Sequence, residues 1–99
     1  MGAGQRNGPS GQRWIDGSAV LPAAAIAAGA TSEITSAVAG AVLQDLAIAC
    51  PRAALDAGLL VAWVRVSAAD TVGIGVMNPT AAPITPAAAI TFDVRVIPQ

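Results

Sequence analysis

The sequence predicts an all-β protein, a small β-sandwich or jelly-roll-like barrel preceded by an extended N-terminal arm. Three observations carry this. Apolar and polar residues alternate with period two in ATSEITSAV and ITFDVRVI, the pattern of a strand with one face buried. Glycine and proline cut the chain at short intervals, at Pro22, Gly29, Gly40, Pro51, Gly58, Pro79, Pro83 and Pro86. Several short strands at such spacing belong to sandwiches and barrels. The chain has 99 residues, which suits one domain.

The elements follow in order. Residues 1–17, MGAGQRNGPSGQRWIDG, hold five glycines and little to bury except Trp14 and Ile15. Alone, such a segment is a flexible arm, with Trp14 and Ile15 as the side chains to anchor it on another subunit and Arg6 and Arg13 as accompanying contacts. The domain proper is expected over 18–99. Strands are expected at 18–27, 31–38, 42–49, 59–67, 71–77 and 90–97, with 81–88 an irregular or edge segment. In the second strand Thr31, Glu33 and Thr35 share one face, and Ser32, Ile34 and Ser36 the other. In the last, Ile90, Phe92, Val94 and Val96 oppose Thr91, Asp93, Arg95 and Ile97. In the fourth, Leu60, Ala62, Val64 and Val66 oppose Leu59, Val61, Trp63 and Arg65, a strand covered on both faces. Pro22 and Pro83 suit edges or bulges.

Composition narrows the function. The chain has 24 alanines and six leucines, two tryptophans and one phenylalanine. Its core is therefore thin, and part of the apolar surface is expected to face a partner or a sister subunit. Five arginines without lysine, six acids and a net charge of −1 do not form the basic patch that phosphate recognition needs. No histidine is present and Cys50 is the only cysteine. This removes His-based catalysis, a Cys/His zinc site within one chain, and an intrachain disulfide. Cys50 reads as a small buried hydrophobe. Mean hydropathy is high, at +0.64. Even so, the longest uncharged run, Thr71 to Phe92, carries three prolines, which a spanning helix tolerates poorly. The N-terminus lacks the basic start and apolar core of a signal peptide. A soluble protein of a reducing compartment is expected.

Ser67 and Asp70, in WVRVSAADTVGIGV, are the pair that most resembles chemistry. They lie where two strands must reverse, and Ser and Asp bond backbone amides in turns. Ser67 has no histidine or lysine to serve as its base, so the pair reads as turn residues. Asp45 and Asp56 flank Cys50 and read as loop residues, not as a carboxylate dyad. Gly73 and Gly75 in VGIGV lack the residues of a phosphate loop. They clear one strand face for a bulky ring, and Trp63 is the candidate occupant. Arg65 and Arg95, each within a VRV triplet, are expected to pair with Glu33, Asp70 or Asp93 across strands. No catalytic residue, metal or cofactor is expected.

The stretches AAGATSEITSAVAGAVLQD (27–45) and CPRAALDAGLLVAWVRVSAADTVGIGVMNPTAAPITPAAAITFDVRVI (50–97) resemble a small β-domain of tailed-phage virion proteins. The features that carry the likeness are an AAGA-T/S opening, a GA…D step, a P…L…GL step, a W…SAADTV segment, an N-T/P…AI.PA loop and a closing F.VRV. The arm lies outside the pattern. The resemblance implies a structural role as a capsid decoration (cement) protein that bridges subunits of the major capsid protein. A head-fibre or tail-fibre module that binds a host surface ligand is the alternative. It further implies a homotrimer on the outer surface of the virion, made in the bacterial cytoplasm. Trp14, Ile15, Trp63, Arg65 and Arg95, with Arg6 and Arg13, are then the expected partner contacts.

Overall fold

A computed structural model describes residues 14–99, so the arm's Arg6 and Arg13 lie outside the described residues. Among the described residues six antiparallel strands form two three-stranded sheets: β1 (Ile15–Leu21), β2 (Thr31–Ala37), β3 (Leu46–Pro51), β4 (Leu60–Ala68), β5 (Thr71–Met77) and β6 (Ile90–Ile97). One sheet has the order β1-β6-β3 and the other β2-β5-β4. The sheets face each other with β1 over β2 and β3 over β4. The all-β sandwich expected from the alternation is the fold, as two open sheets rather than a closed barrel.

Two boundaries move. The first strand begins at Ile15, not Ser18, and ends at Leu21, so residues 15–17 belong to the domain. Gly17 makes this possible. A Cβ there would stand 2.8 Å from both Ser36 Oγ and a Val38 methyl, so only glycine lets β1 close down on β2. The third strand runs Leu46–Pro51 rather than 42–49, because residues 42–45 form a tight turn. Asp45 closes that turn, accepting from Val42 N at 3.1 Å while its own amide donates to Val42 O.

The core is aliphatic around one ring. Phe92, Leu21, Val38, Val72, Ile74, Val76 and Val96 are almost wholly buried, each worth about 1.5–3 kcal/mol of transfer free energy. The alternation placed β2 and β6 correctly: Ile34 and Ser36 point inward, as do Ile90, Phe92, Val94 and Val96. On β4 simple alternation fails. Ala62 and Ser67 are bulged out of register with β5, and an extra residue reverses the face of everything after it. Val61, Val64 and Val66 therefore all lie on the core side, while Leu60, Trp63 and Arg65 point outward.

Loops are fastened by buried polar groups. Asn78 is fully buried. Its Nδ2 donates to Ile26 O at 2.9 Å and Ala82 O at 2.8 Å, and its Oδ1 accepts from Thr80 N and Thr80 Oγ1. The irregular 78–89 segment is thereby tied to the 22–30 segment, where Ile26 and Ile84 exchange backbone hydrogen bonds. Asp70 turns the β4–β5 hairpin at φ 61°, a left-handed conformation that Asp tolerates better than most residues. Its carboxylate accepts from Gly40 N at 2.8 Å. Asp70 is punctuation, as expected, and it also ties the hairpin to the 38–41 turn.

Candidate functional site

The outward faces of the two sheets carry the candidate residues, and they differ in character. On the β2-β5-β4 sheet, Gly75 and Gly73 of β5 lie opposite Trp63 and Arg65 of β4 on one side and Glu33 and Thr35 of β2 on the other. The Trp63 indole covers Gly75: a Cβ at that glycine would fall 2.3 to 2.7 Å from Cε2, Cδ2 and Cζ2. Three contiguous ring atoms at nearly equal distance mean that the ring lies face down on the strand. Its Nε1 donates to Glu33 Oε2 at 2.9 Å, and the same oxygen is 3.5 Å from Arg65 Nη2. Trp63 thus fills the space that the glycines clear, and one face of the indole stays open to solvent at 39% exposure.

On the β1-β6-β3 sheet the outward face combines ion pairs with an apolar stripe. Register sets Arg95 of β6 between Asp16 of β1 and Ile48 of β3, and Asp93 between Ser18 and Cys50. Arg95 donates from Nε to Asp16 Oδ1 at 2.8 Å and from Nη2 to Oδ2 at 3.3 Å. Its guanidinium also stacks on the Trp14 ring, 4.6 Å from the centroid. Arg52, just past β3, grips Asp93 through Nε and Nη2. Hydrogen bonding from these arginines holds the Asp16 and Asp93 carboxyls below the ordinary aspartate range and raises both guanidinium groups. A shallow groove of about 500 Å³ runs between Asp16, Ile48, Cys50, Asp93 and Arg95.

The stripe itself escapes simple sequence reading. Leu46 and Ile48 point outward at 56% and 54% exposure, while Ala47 and Ala49 point toward the core. Alternation is present, but large residues face solvent and small ones face in. Val42 and Leu43, in the turn that feeds β3, are exposed as well. Cys50 continues the stripe and is exposed, which corrects its expected burial. Its neighbours on β3 explain the reversal: alanines occupy the inward positions, so the outward phase is left for Leu46, Ile48 and Cys50.

Of the residues expected as partner contacts, Trp14 and Arg95 stand together at one edge of this face. Trp63 and Arg65 stand together on the opposite sheet. Ile15 is half-buried and packs on the protein's own core, where it holds β1 down. Arg65 takes Glu33, one of its expected partners, whereas Arg95 takes Asp16 instead of Asp93. Every carboxylate among the described residues has a structural partner. Asp16 and Asp93 hold arginines, Glu33 holds Trp63 and Arg65, and Asp45, Asp56 and Asp70 accept from backbone amides. Among the described residues no group of three or more His, Cys, Asp or Glu stands close enough to hold a metal ion. No family model, curated protein or solved structure matches the chain.

Proposed function

We propose that this protein is a structural component of a tailed-phage virion, a decoration protein that docks on the major capsid protein and bridges its subunits. The observation that supports this most is the exposed apolar stripe of Val42, Leu43, Leu46 and Ile48. Four large aliphatic side chains within seven residues, rimmed by the Arg95–Asp16 and Arg52–Asp93 pairs, have the composition of an interface: an apolar centre inside a polar rim. The carboxylates, committed to turns and ion pairs, fit a scaffold better than acid–base chemistry. On this reading the stripe is the surface that meets the shell, and Trp14 with Arg95 contributes at its margin.

The test is sedimentation of particles from the native source on a density gradient, with peptides quantified by mass spectrometry. Hundreds of copies in the particle fraction, near-stoichiometric with the shell protein, support decoration. A chain that stays at the top of the gradient overturns the virion reading. On recombinant shells, Leu46→Lys with Ile48→Lys should abolish binding of a domain that remains folded.

One observation favours a second reading, a head-fibre or tail-fibre module that binds a host surface ligand. The open indole face of Trp63, held by Glu33 and flanked by Arg65, is a flat platform of the kind on which sugar rings stack. A few copies per particle, together with quenching of Trp63 fluorescence by host glycans, would support that alternative.

A further inference from the structure

Four strands of this sandwich are sheet edges, and three carry the features that keep edges from pairing with other chains. β1 presents Asp16 and Ser18, β2 presents Thr31, Glu33 and Thr35, and β4 has two bulges together with Arg65. Charged side chains and bulges are the usual protection of an open edge. β3 has neither. Between Asp45 and Arg52 it reads LAIACP, regular throughout, with Leu46 and Ile48 exposed.

The ladder fixes which backbone groups are open. Arg52 N donates to Thr91 O at 2.8 Å, and Arg52 lies opposite Thr91 by continuation of the Pro51↔Phe92 register. In an antiparallel ladder hydrogen-bonded pairs alternate with unbonded ones. Cys50, Ile48 and Leu46 therefore bond to β6, while Ala47 and Ala49 direct their N–H and C=O groups to the open side. Pro51, which has no N–H to give, falls on the open phase at the end of the strand.

We propose that β3 pairs with β3 of a second copy, antiparallel about a twofold axis at Ile48. This register sets Ala47 against Ala49 of the partner copy and the reverse, completing four backbone hydrogen bonds. A shift toward the strand start, with Ala47 at the axis, sets Ala49 against the turn amide of Asp45, which already bonds Val42 O. A shift the other way sets Ala47 against Pro51, where the donor is missing. Arg52 and the 42–45 turn, in which Gln44 has φ 80°, lie beyond the paired residues. Such an isologous contact closes on itself. It joins the two sheets into one of six strands, with both Leu46–Ile48 stripes on the same outward face.

This inference stands independently of the virion reading, since it concerns only the free protein. The experiment combines mass measurement with a chemical probe of register. By light scattering the wild-type protein should have twice the 9.7 kDa chain mass. Ala49→Pro removes an outward N–H and leaves the bonds to β6 intact, as prolines at edge positions do. It should yield a monomer with a cooperative thermal transition. In the proposed register Leu46 faces Cys50 of the partner copy in an unbonded pair, where Cα atoms approach within disulfide reach. Leu46→Cys under mild oxidation should give a covalent dimer containing a 46–50 linkage, and the same variant with Cys50→Ala should not. The intrachain bond is impossible, since four extended residues separate the two sulfurs by about 13 Å. A monomeric wild type, a trimer, or a dimer in which the Leu46→Cys protein fails to cross-link would each overturn the pairing. The cross-link decides the question even if the proline variant does not fold.

Discussion

Adding one methyl group at Gly75 should destabilise the protein only because Trp63 is there. The strand carries no positive φ at this glycine, so alanine meets no backbone strain. Its Cβ would, however, lie 2.3 Å from Trp63 Cε2, against a normal carbon–carbon separation of about 3.5–4.0 Å. The indole must rise by more than an ångström or swing away, and either movement strains or breaks the 2.9 Å bond to Glu33. Overpacking of this kind costs about 1–3 kcal/mol, which for a domain of this size lowers Tm by about 4–8 °C per kcal/mol. With Trp63→Ala the sign reverses. The site is then open, and replacing a mid-strand glycine by alanine stabilises by about 0.5–1 kcal/mol through the lost freedom of the unfolded chain. Four proteins, the parent, Gly75→Ala, Trp63→Ala and the double variant, unfolded in urea, give the coupling directly. A Trp14→Phe background lets Trp63 emission alone report the ring's displacement. Gly73→Ala probes the other end of the contact: its Cβ would press on Glu33 Oε2, the acceptor of the Trp63 bond, and displacing that exposed carboxylate should cost about the 0.5–1.5 kcal/mol of one hydrogen bond. Equal effects of Gly75→Ala with and without Trp63 would refute the packing argument.

Three further outcomes follow from the same geometry. Asn78→Ala removes four hydrogen bonds from a fully buried side chain and leaves the Thr80 amide without its acceptor, which should cost about 1–3 kcal/mol, read in urea. The change should speed hydrogen exchange in segments 22–30 and 78–89, leaving β6 protected. Asp70→Ala should lose about 1–2 kcal/mol, because alanine tolerates the left-handed turn poorly and cannot accept from Gly40 N; Asp70→Asn keeps the conformation and should lose less. Finally, Asp16 and Asp93 titrate below the ordinary aspartate value of 3.8 in the folded state, so the unfolded chain binds protons first on acidification. The stability they add is complete above that value and disappears as pH falls through their lower folded values. Asp16→Asn and Asp93→Asn should each flatten the drop in Tm between about pH 5 and pH 2. Because both pairs are exposed, the effect should be small and weaker still in high salt.

Strands were legible where large residues faced in. β2 and β6 could be read from alternation because Ile34, Phe92, Val94 and Val96 all obey it. β4 could not, since the bulge at Ala62 leaves no compositional mark: alanine is as ordinary in a regular strand as in a bulge. β3 was found but started four residues early, because Val42 and Leu43 look like strand residues and only the Asp45 carboxylate, folded back on Val42 N, makes them a turn. The Trp63–Gly75 contact was accessible from sequence, since two glycines on one strand face ask for a bulky neighbour. The partners of Arg95 and Arg52 were not, because choosing Asp16 over Asp93 requires the β1–β6 register, which depends on tertiary pairing.

The exposed stripe on β3 follows from the same alanine-rich composition that thins the core. Ala47 and Ala49 fill the inward phase of β3, where the sandwich is closed by the valines of β4 and β6. Larger residues in that phase would push β3 off the other sheet. With alanine inside, the strand's apolar area has only the outward side to occupy, and Leu46, Ile48 and Cys50 take it. Burying a Leu or Ile is worth about 1.5–3 kcal/mol, so two copies of the stripe hold more unclaimed transfer free energy than the ion pairs of the face, which stand in water and are screened by it. Exchanging the phases makes this testable. A variant with Ala47→Ile, Ala49→Val, Leu46→Thr and Ile48→Thr keeps β-forming residues throughout but moves the bulk inside. Overpacking against β4 should lower its Tm, and loss of the outward stripe should remove the proposed shell binding while only weakening self-association, whose backbone hydrogen bonds stay in place. A variant that gains stability would show that the core has room and that the outward leucine and isoleucine are not a consequence of packing.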